Sequence, residues 1–202
     1  MGTMGQTISR AFCIASTAAI LSLPAALPAS AATSTWQIDP AHTAAQFAVK
    51  HLLISTVRGE FKGVAGAIAW DDQDITKSTV NVTIDATTVD TGTAMRDNDL
   101  KSANYFDVAK YPTITFKSTK VEQAGQAKLN VTGDLTIHGV TKSVVLAVEG
   151  PSNSIKDPWG NTRAAISATT KVNRQDFGVS GGAGAVGDDI SIIIDMEMTK
   201  QK

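Results

Sequence analysis

The chain has 202 residues, of which 43% are hydrophobic, 18% charged and 5% aromatic, and its formal net charge is -1. That apolar content excludes a disordered tail. The balance of 18 Lys+Arg against 19 Asp+Glu gives no pull toward nucleic acid, and a single cysteine excludes a disulfide framework.

Residues 1–31 read as a secretory signal. Arg10 is the only charged side chain, and it precedes an apolar run from Ala11 to Leu23, then Pro24, Pro28 and the small-residue site Ala29-Ser30-Ala31. The run is too short to span a membrane. There is no paired arginine, and Cys13 lies inside the run, so the general secretory route to the periplasm is expected. Cleavage after Ala31 leaves residues 32–202 as one domain, without cysteine and without a transmembrane segment.

From there the pattern is period-two alternation, the mark of half-buried strands. It begins at Phe47-Val49-His51 and returns at Val80, Val82, Ile84 and Ala86. The segment Thr93–Ala103 has no such alternation, stops before the helix-breaking Tyr111-Pro112 step, and is the one predicted helix. Strands resume at Ile114-Phe116 and at Leu129, Val131, Gly133, Leu135 and Ile137. The pair His138-Gly139 predicts a tight turn into Val144-Leu146-Val148. Ala164, Ile166, Ala168, Thr170 and Val172 form the next series, and Ile190 through Met198 the last. Between them the glycines from Gly181 to Gly187 lack the Lys-Ser/Thr ending of a phosphate loop and precede a strand, so they predict a flexible loop placed to gate a cavity. Many short strands and one helix fit a closed antiparallel barrel or a sandwich. The scarcity of aromatic residues suits a barrel that is lined more than filled, although composition does not separate this from a packed sandwich.

Several local strings are more specific. They include Trp36-Gln-Ile-Asp39-Pro40-Ala-His42, Val57-Arg58-Gly59-Glu-Phe61, Met95-Arg96-Asp97-Asn-Asp99-Leu100, Gly133-Asp-Leu135-Thr136-Ile137-His138-Gly139 and Asn173-Arg174-Gln-Asp176-Phe177-Gly178. In this order, from about Trp36 to Met198, the chain resembles the YceI-like family of bacterial polyisoprenoid-binding proteins. The resemblance implies a lipocalin-like, extended antiparallel β-barrel of about eight strands with one short helix and a long apolar interior. It implies as ligand an isoprenoid lipid, such as a polyprenyl phosphate or an isoprenoid quinone, or another long-chain amphiphile. No cofactor, catalytic set or metal is implied. The oligomeric state stays open, a homodimer included.

For the lining of such an interior the expected residues are Phe47, Val49, Phe61, Val82 and Ile84, with the scarce aromatics Phe106, Phe116 and Phe177. His51, on the face of Phe47 and Val49, and Arg96, at the start of the helix, are the expected polar contacts for a head group. The alternatives are a small lipid-modifying enzyme using Asp97, Asp99 or His51, and an adaptor for a membrane respiratory protein. Asp97 and Asp99 are more simply read as helix-start residues that satisfy backbone N–H groups. His42, His51 and His138 show no zinc spacing, so no metal site is expected.

Overall fold

The computed structural model describes residues 1–2 and 33–202. The expected secretory signal, with Arg10 and Cys13, lies outside the described residues. Ten strands and one α-helix follow. They are β1 (Thr33–Ile38), β2 (Ala44–His51), β3 (Ser55–Asp71), β4 (Thr79–Asp90), α1 (Ala94–Lys101), β5 (Thr113–Gly125), β6 (Lys128–Ile137), β7 (Val140–Glu149), β8 (Ile155–Lys156), β9 (Thr162–Asn173) and β10 (Val186–Lys200).

All strand pairings are antiparallel. The order β10-β2-β3-β4-β5-β6-β7-β9 closes on itself through β9–β10, an eight-stave barrel. β1 adds no ninth stave. It pairs with β10 at Trp36–Ile38 and with β3 at Thr33–Gln37, while β2 pairs with the same two strands farther along. β1 and β2 are therefore one stave interrupted at residues 39–43, where Pro40 cannot donate to a ladder. β8 is a two-residue addition to the edge of β9.

Most strands follow the alternation of their sequence, but β3 does not. Its buried apolar residues run Phe61, then Val64, then Ile68, a change of phase. The cause is an irregularity in the β3–β4 ladder: Phe61 pairs with Val89, and Gly63 already pairs with Asp85. Thr88 Oγ1 fills the gap, accepting from the amides of Lys62 (3.2 Å) and Gly63 (3.1 Å) while donating to Asp85 O (2.6 Å). The bulge lets both Ala86 and Val89 of β4 turn inward. A single period-two template therefore misses the longest strand of the fold.

Two hairpins hold positive φ at both central residues of the turn. His138 (51°) and Gly139 (76°) link β6 to β7 as expected, with Tyr111 packed edge-on against the imidazole at 4.7 Å. Between β2 and β3 the same backbone is adopted by Leu52 (50°) and Leu53 (62°). Positive φ at both central residues is the type I′ requirement that Asn-Gly meets best. A bulky leucine held there costs on the order of 1 kcal/mol. The sequence signal for this turn is absent because the residues present are the wrong ones for it.

Candidate functional site

The inward residues of the eight staves surround a void of about 210 Å³. The wall it meets is wholly apolar. It is long as well as narrow: its lining runs from Trp70, Ile75 and Met198 at one end to Leu100, Phe106 and Val179 at the other. The 15 residues of β10 span roughly 50 Å at ~3.3 Å per residue. Voids of ~150 Å³ lined by aliphatic and aromatic side chains stay dry and accept apolar guests. This one exceeds that size, and its walls have nothing to offer water.

The expected lining residues fall into place by strand parity. Phe47 and Val49 of β2, Phe61 of β3, Val82 and Ile84 of β4 and Phe116 of β5 all face the void, as do Phe106 and Phe177 from the connections. Phe12 aside, every phenylalanine of the chain lines it. Phe61 is stacked between Phe47 (5.7 Å, tilted) and Phe106 (5.5 Å, edge-on). Room for the rings comes from inward glycines. A Cβ at Gly59 would sit 2.5 Å from the Phe47 ring, and one at Gly133 would meet the Phe116 ring and Lys117 O.

His51 and Arg96 are elsewhere. β2 carries His51 past the rim, so it keeps the inward parity but is exposed and touches no part of the void. The Arg96 guanidinium is spent on the turn ahead of α1, donating to Thr91 Oγ1 (2.7 Å), Thr91 O (2.8 Å) and Thr93 Oγ1 (3.2 Å). Asp97 takes part in the same knot. It accepts from the Thr91 amide (2.8 Å) and hydroxyl (2.5 Å), not from free amides of the helix as its position suggested. Asp99 is exposed on α1. None of Asp97, Asp99 and His51 reaches the cavity.

The three histidines are not brought together. His42 stands beside Asp39, His51 on the β2–β3 hairpin and His138 against Tyr111. Asp39, His42 and Glu197 do place ligand atoms within 4.8 Å of one another. Their cation is already present: Arg163 Nη1 lies 2.6 Å from Asp39 Oδ2 and 3.4 Å from Glu197 Oε2, and its Nε donates to Asp157 (2.9 Å). The guanidinium, and then His42, hold the Asp39 carboxyl down to about 2. The cluster is a structural tie between the break in the first stave, β9 and β10.

One residue that shapes an end of the void was missed by sequence reasoning. Arg174 is buried and donates to four carbonyls: Gly187 (3.0 Å), Val179 (2.8 Å), Gly181 (2.6 Å) and Val186 (3.1 Å). It ties down the carbonyls of the glycine-rich segment, which forms turns beside the β2–β3 hairpin at one end of the barrel. Its aliphatic stem lines the void. The only sequence hint is its place between Asn173 and the Asp176-Phe177-Gly178 string. The inward series Ile190, Ile192, Ile194, Met196 and Met198 supplies a further wall that its alternation did announce. Among the described residues no buried side-chain nitrogen or oxygen lacks a partner.

Comparison with known proteins gives one family. The YceI-like domain matches residues 36–198. A UPF0312 protein of Vibrio parahaemolyticus is 41% identical over 163 residues, covering 79% of this chain and 85% of its own. The crystal structure of the Campylobacter jejuni YceI protein superposes with a TM-score of 0.68 at 34% identity, covering 76% of this chain and 90% of that one. A polyisoprenoid-binding domain from Saccharophagus degradans superposes at 0.64 with 16% identity, covering 82% and 98%, and so shows the shared fold.

Proposed function

The chain belongs to the YceI-like domain family, and from that premise we propose that it is an exported binding protein that holds the tail of a long-chain isoprenoid lipid. The observation that carries this reading is the wholly apolar void running between the two ends of the closed barrel. Each methylene of a tail that leaves water for such a wall gains ~0.8 kcal/mol. A polyprenyl phosphate or an isoprenoid quinone would thread its chain along Phe47, Phe61, Val82, Ile84, Phe116 and Phe177 and leave its head group at an end.

Two further observations favour binding over catalysis. The acidic and imidazole groups that could act as acid or base stand outside the void, and the interior holds no unpaired polar atom among the described residues. The pattern of residues 1–31 supports delivery to the periplasm. Such a protein serves as carrier or store.

Protein purified without detergent, extracted and analysed by mass spectrometry, is expected to release an isoprenoid lipid, or to take up a fluorescent polyprenyl probe added from ethanol. Ala168, buried on the cavity wall, provides the matched control: Ala168→Trp fills the void with indole and should abolish uptake. A folded wild-type protein that stays empty and takes up no polyprenyl probe overturns the reading.

A further inference from the structure

The turn between β2 and β3 has a composition that the barrel does not need. Leu52, Leu53 and Ile54 are consecutive, and they are 52%, 83% and 84% exposed. Other exposed apolar side chains, such as Trp159 in a turn and Ile155 on β8, stand singly among polar or turn residues, which is ordinary for a protein surface. Three in a row at a projecting tip are not ordinary. Two of them also occupy positive-φ positions that suit Asn and Gly. Neither packing nor turn chemistry therefore accounts for the leucines.

The hairpin charges nearest the tip are of one sign. No Asp or Glu occurs between Asp39 and Glu60, and the hairpin carries Lys50, His51 and Arg58. Lys50 pairs in register with Thr56 and Arg58 with Ala48, which puts the two cations diagonally across the hairpin, both exposed. Neither makes an ion pair among the described residues. Acidic groups nearby are already engaged: Glu60 and Asp90 with Lys62 (3.6 and 2.7 Å), Asp188 with Arg174 (3.1 Å) and Asp189 with Lys171 (3.0 Å). The tip adjoins the glycine-rich turns, since the Leu52 amide donates to Ala185 O (2.7 Å). It lies at the same end of the barrel as α1, whose Met95 is 82% exposed.

An apolar point backed by unpaired cations is the composition of an element that sits in a bilayer interface, with aliphatic side chains at the acyl boundary and cations among anionic head groups. We propose that the β2–β3 hairpin docks the barrel on an anionic lipid surface through Leu52, Leu53 and Ile54, with Lys50 and Arg58 facing the head groups. The proposal rests on the lipid reading of the cavity for its purpose: docking sets the end that carries the glycine-rich turns against the membrane that supplies or receives the ligand. Its physics is independent of what the cavity holds.

The test is co-sedimentation of the full protein with vesicles of phosphatidylglycerol and phosphatidylcholine, compared with vesicles of phosphatidylcholine alone. Binding is expected to favour the anionic vesicles and to weaken as salt is raised. The double variant Leu53→Asp, Ile54→Asp should bind roughly tenfold or more weakly. Lys50→Gln with Arg58→Gln should remove the preference for anionic vesicles. The sharpest variant is Leu52→Asn with Leu53→Gly, which relieves the turn: it should raise the melting temperature and still lose vesicle binding. Ala168→Trp should keep vesicle binding while losing the polyprenyl probe, and the tip variants should keep equilibrium uptake of that probe in solution. Vesicle binding that is absent in the wild type, or unchanged in the tip variants, overturns the proposal without touching the cavity reading. Loss of a dimer in the tip variants, seen by sedimentation equilibrium, overturns it in favour of a contact between two copies.

Discussion

Asp39 stands at the interruption of the first stave and collects three contacts that no neighbouring residue could supply alone. It accepts from the Ala41 amide (3.0 Å), from His42 Nδ1 (3.0 Å) and from Arg163 (2.6 Å), 124 positions away. Its carboxyl is held down to about 2, from an ordinary 3.8, chiefly by Arg163. A carboxylate whose folded pKa is depressed contributes stability above its unfolded pKa and loses it as pH falls through the folded one. The tie therefore works fully above pH ~4 and fades between there and pH ~2. Asp39→Ala removes the cap and the ion pair together and should cost about 1–3 kcal/mol in urea denaturation at neutral pH. Its stability should also fall less steeply than that of the wild type between pH 4 and 2. Asp39 and Arg163 could both be read in the sequence as charged residues, but not as partners. Arg96 illustrates the same limit from the other side: its position at a helix start suggested a free cation, and three oxygens of its own turn consume it.

Among the elements, β3 and β4 show how one hydroxyl can hold a phase change. The two amides left by the bulge would be orphaned without Thr88, and an unpaired amide in a half-buried ladder is costly. Thr88→Val keeps the shape and deletes the acceptor, so it should destabilise the protein by about 1–3 kcal/mol, read as a lower denaturation midpoint with an unchanged slope. Thr88→Ser should restore most of that loss. The alternation of β2, β4, β6, β9 and β10 was legible because each strand keeps one face to the barrel interior over most of its length. β3 was not, because its inward set moves from odd to even positions across the bulge. His51 fails for a related reason: parity says which way a side chain points, and only the neighbouring strands say where the rim is.

Over the whole molecule the barrel is not uniformly closed. β9 and β10 share eleven register pairs, whereas β7 and β9 share three, Ala147–Glu149 with Ser167–Thr169. Beyond them, one side-chain bond continues the seam, from Thr170 Oγ1 to Val145 O (2.9 Å). A closed sheet opens where its ladder is shortest. Hydrogen exchange should therefore find the β7 amides that face β9 deprotected before those between β9 and β10, and an apolar occupant of the cavity should slow both. If the β9–β10 amides exchange first, the weak seam lies elsewhere.

What the sequence determined by itself was the class of fold, the inward identity of most wall residues and the family. Each follows from local order: period-two alternation, a glycine in a tight turn, and strings of residues a few positions long. What only the tertiary structure decided was how those pieces meet. It made β1 and β2 a single stave, switched the phase of β3, carried His51 past the rim and turned Arg174 onto four carbonyls. The physical reason is that a strand face is set by its own backbone, whereas register, ion pairs and the ends of a cavity are set by residues far away in the chain. Composition and charge acquire their meaning at that level. Few aromatic residues suffice because most of those described, all five phenylalanines among them, stand around a space, and near-zero net charge conceals a hairpin tip flanked by Lys50 and Arg58.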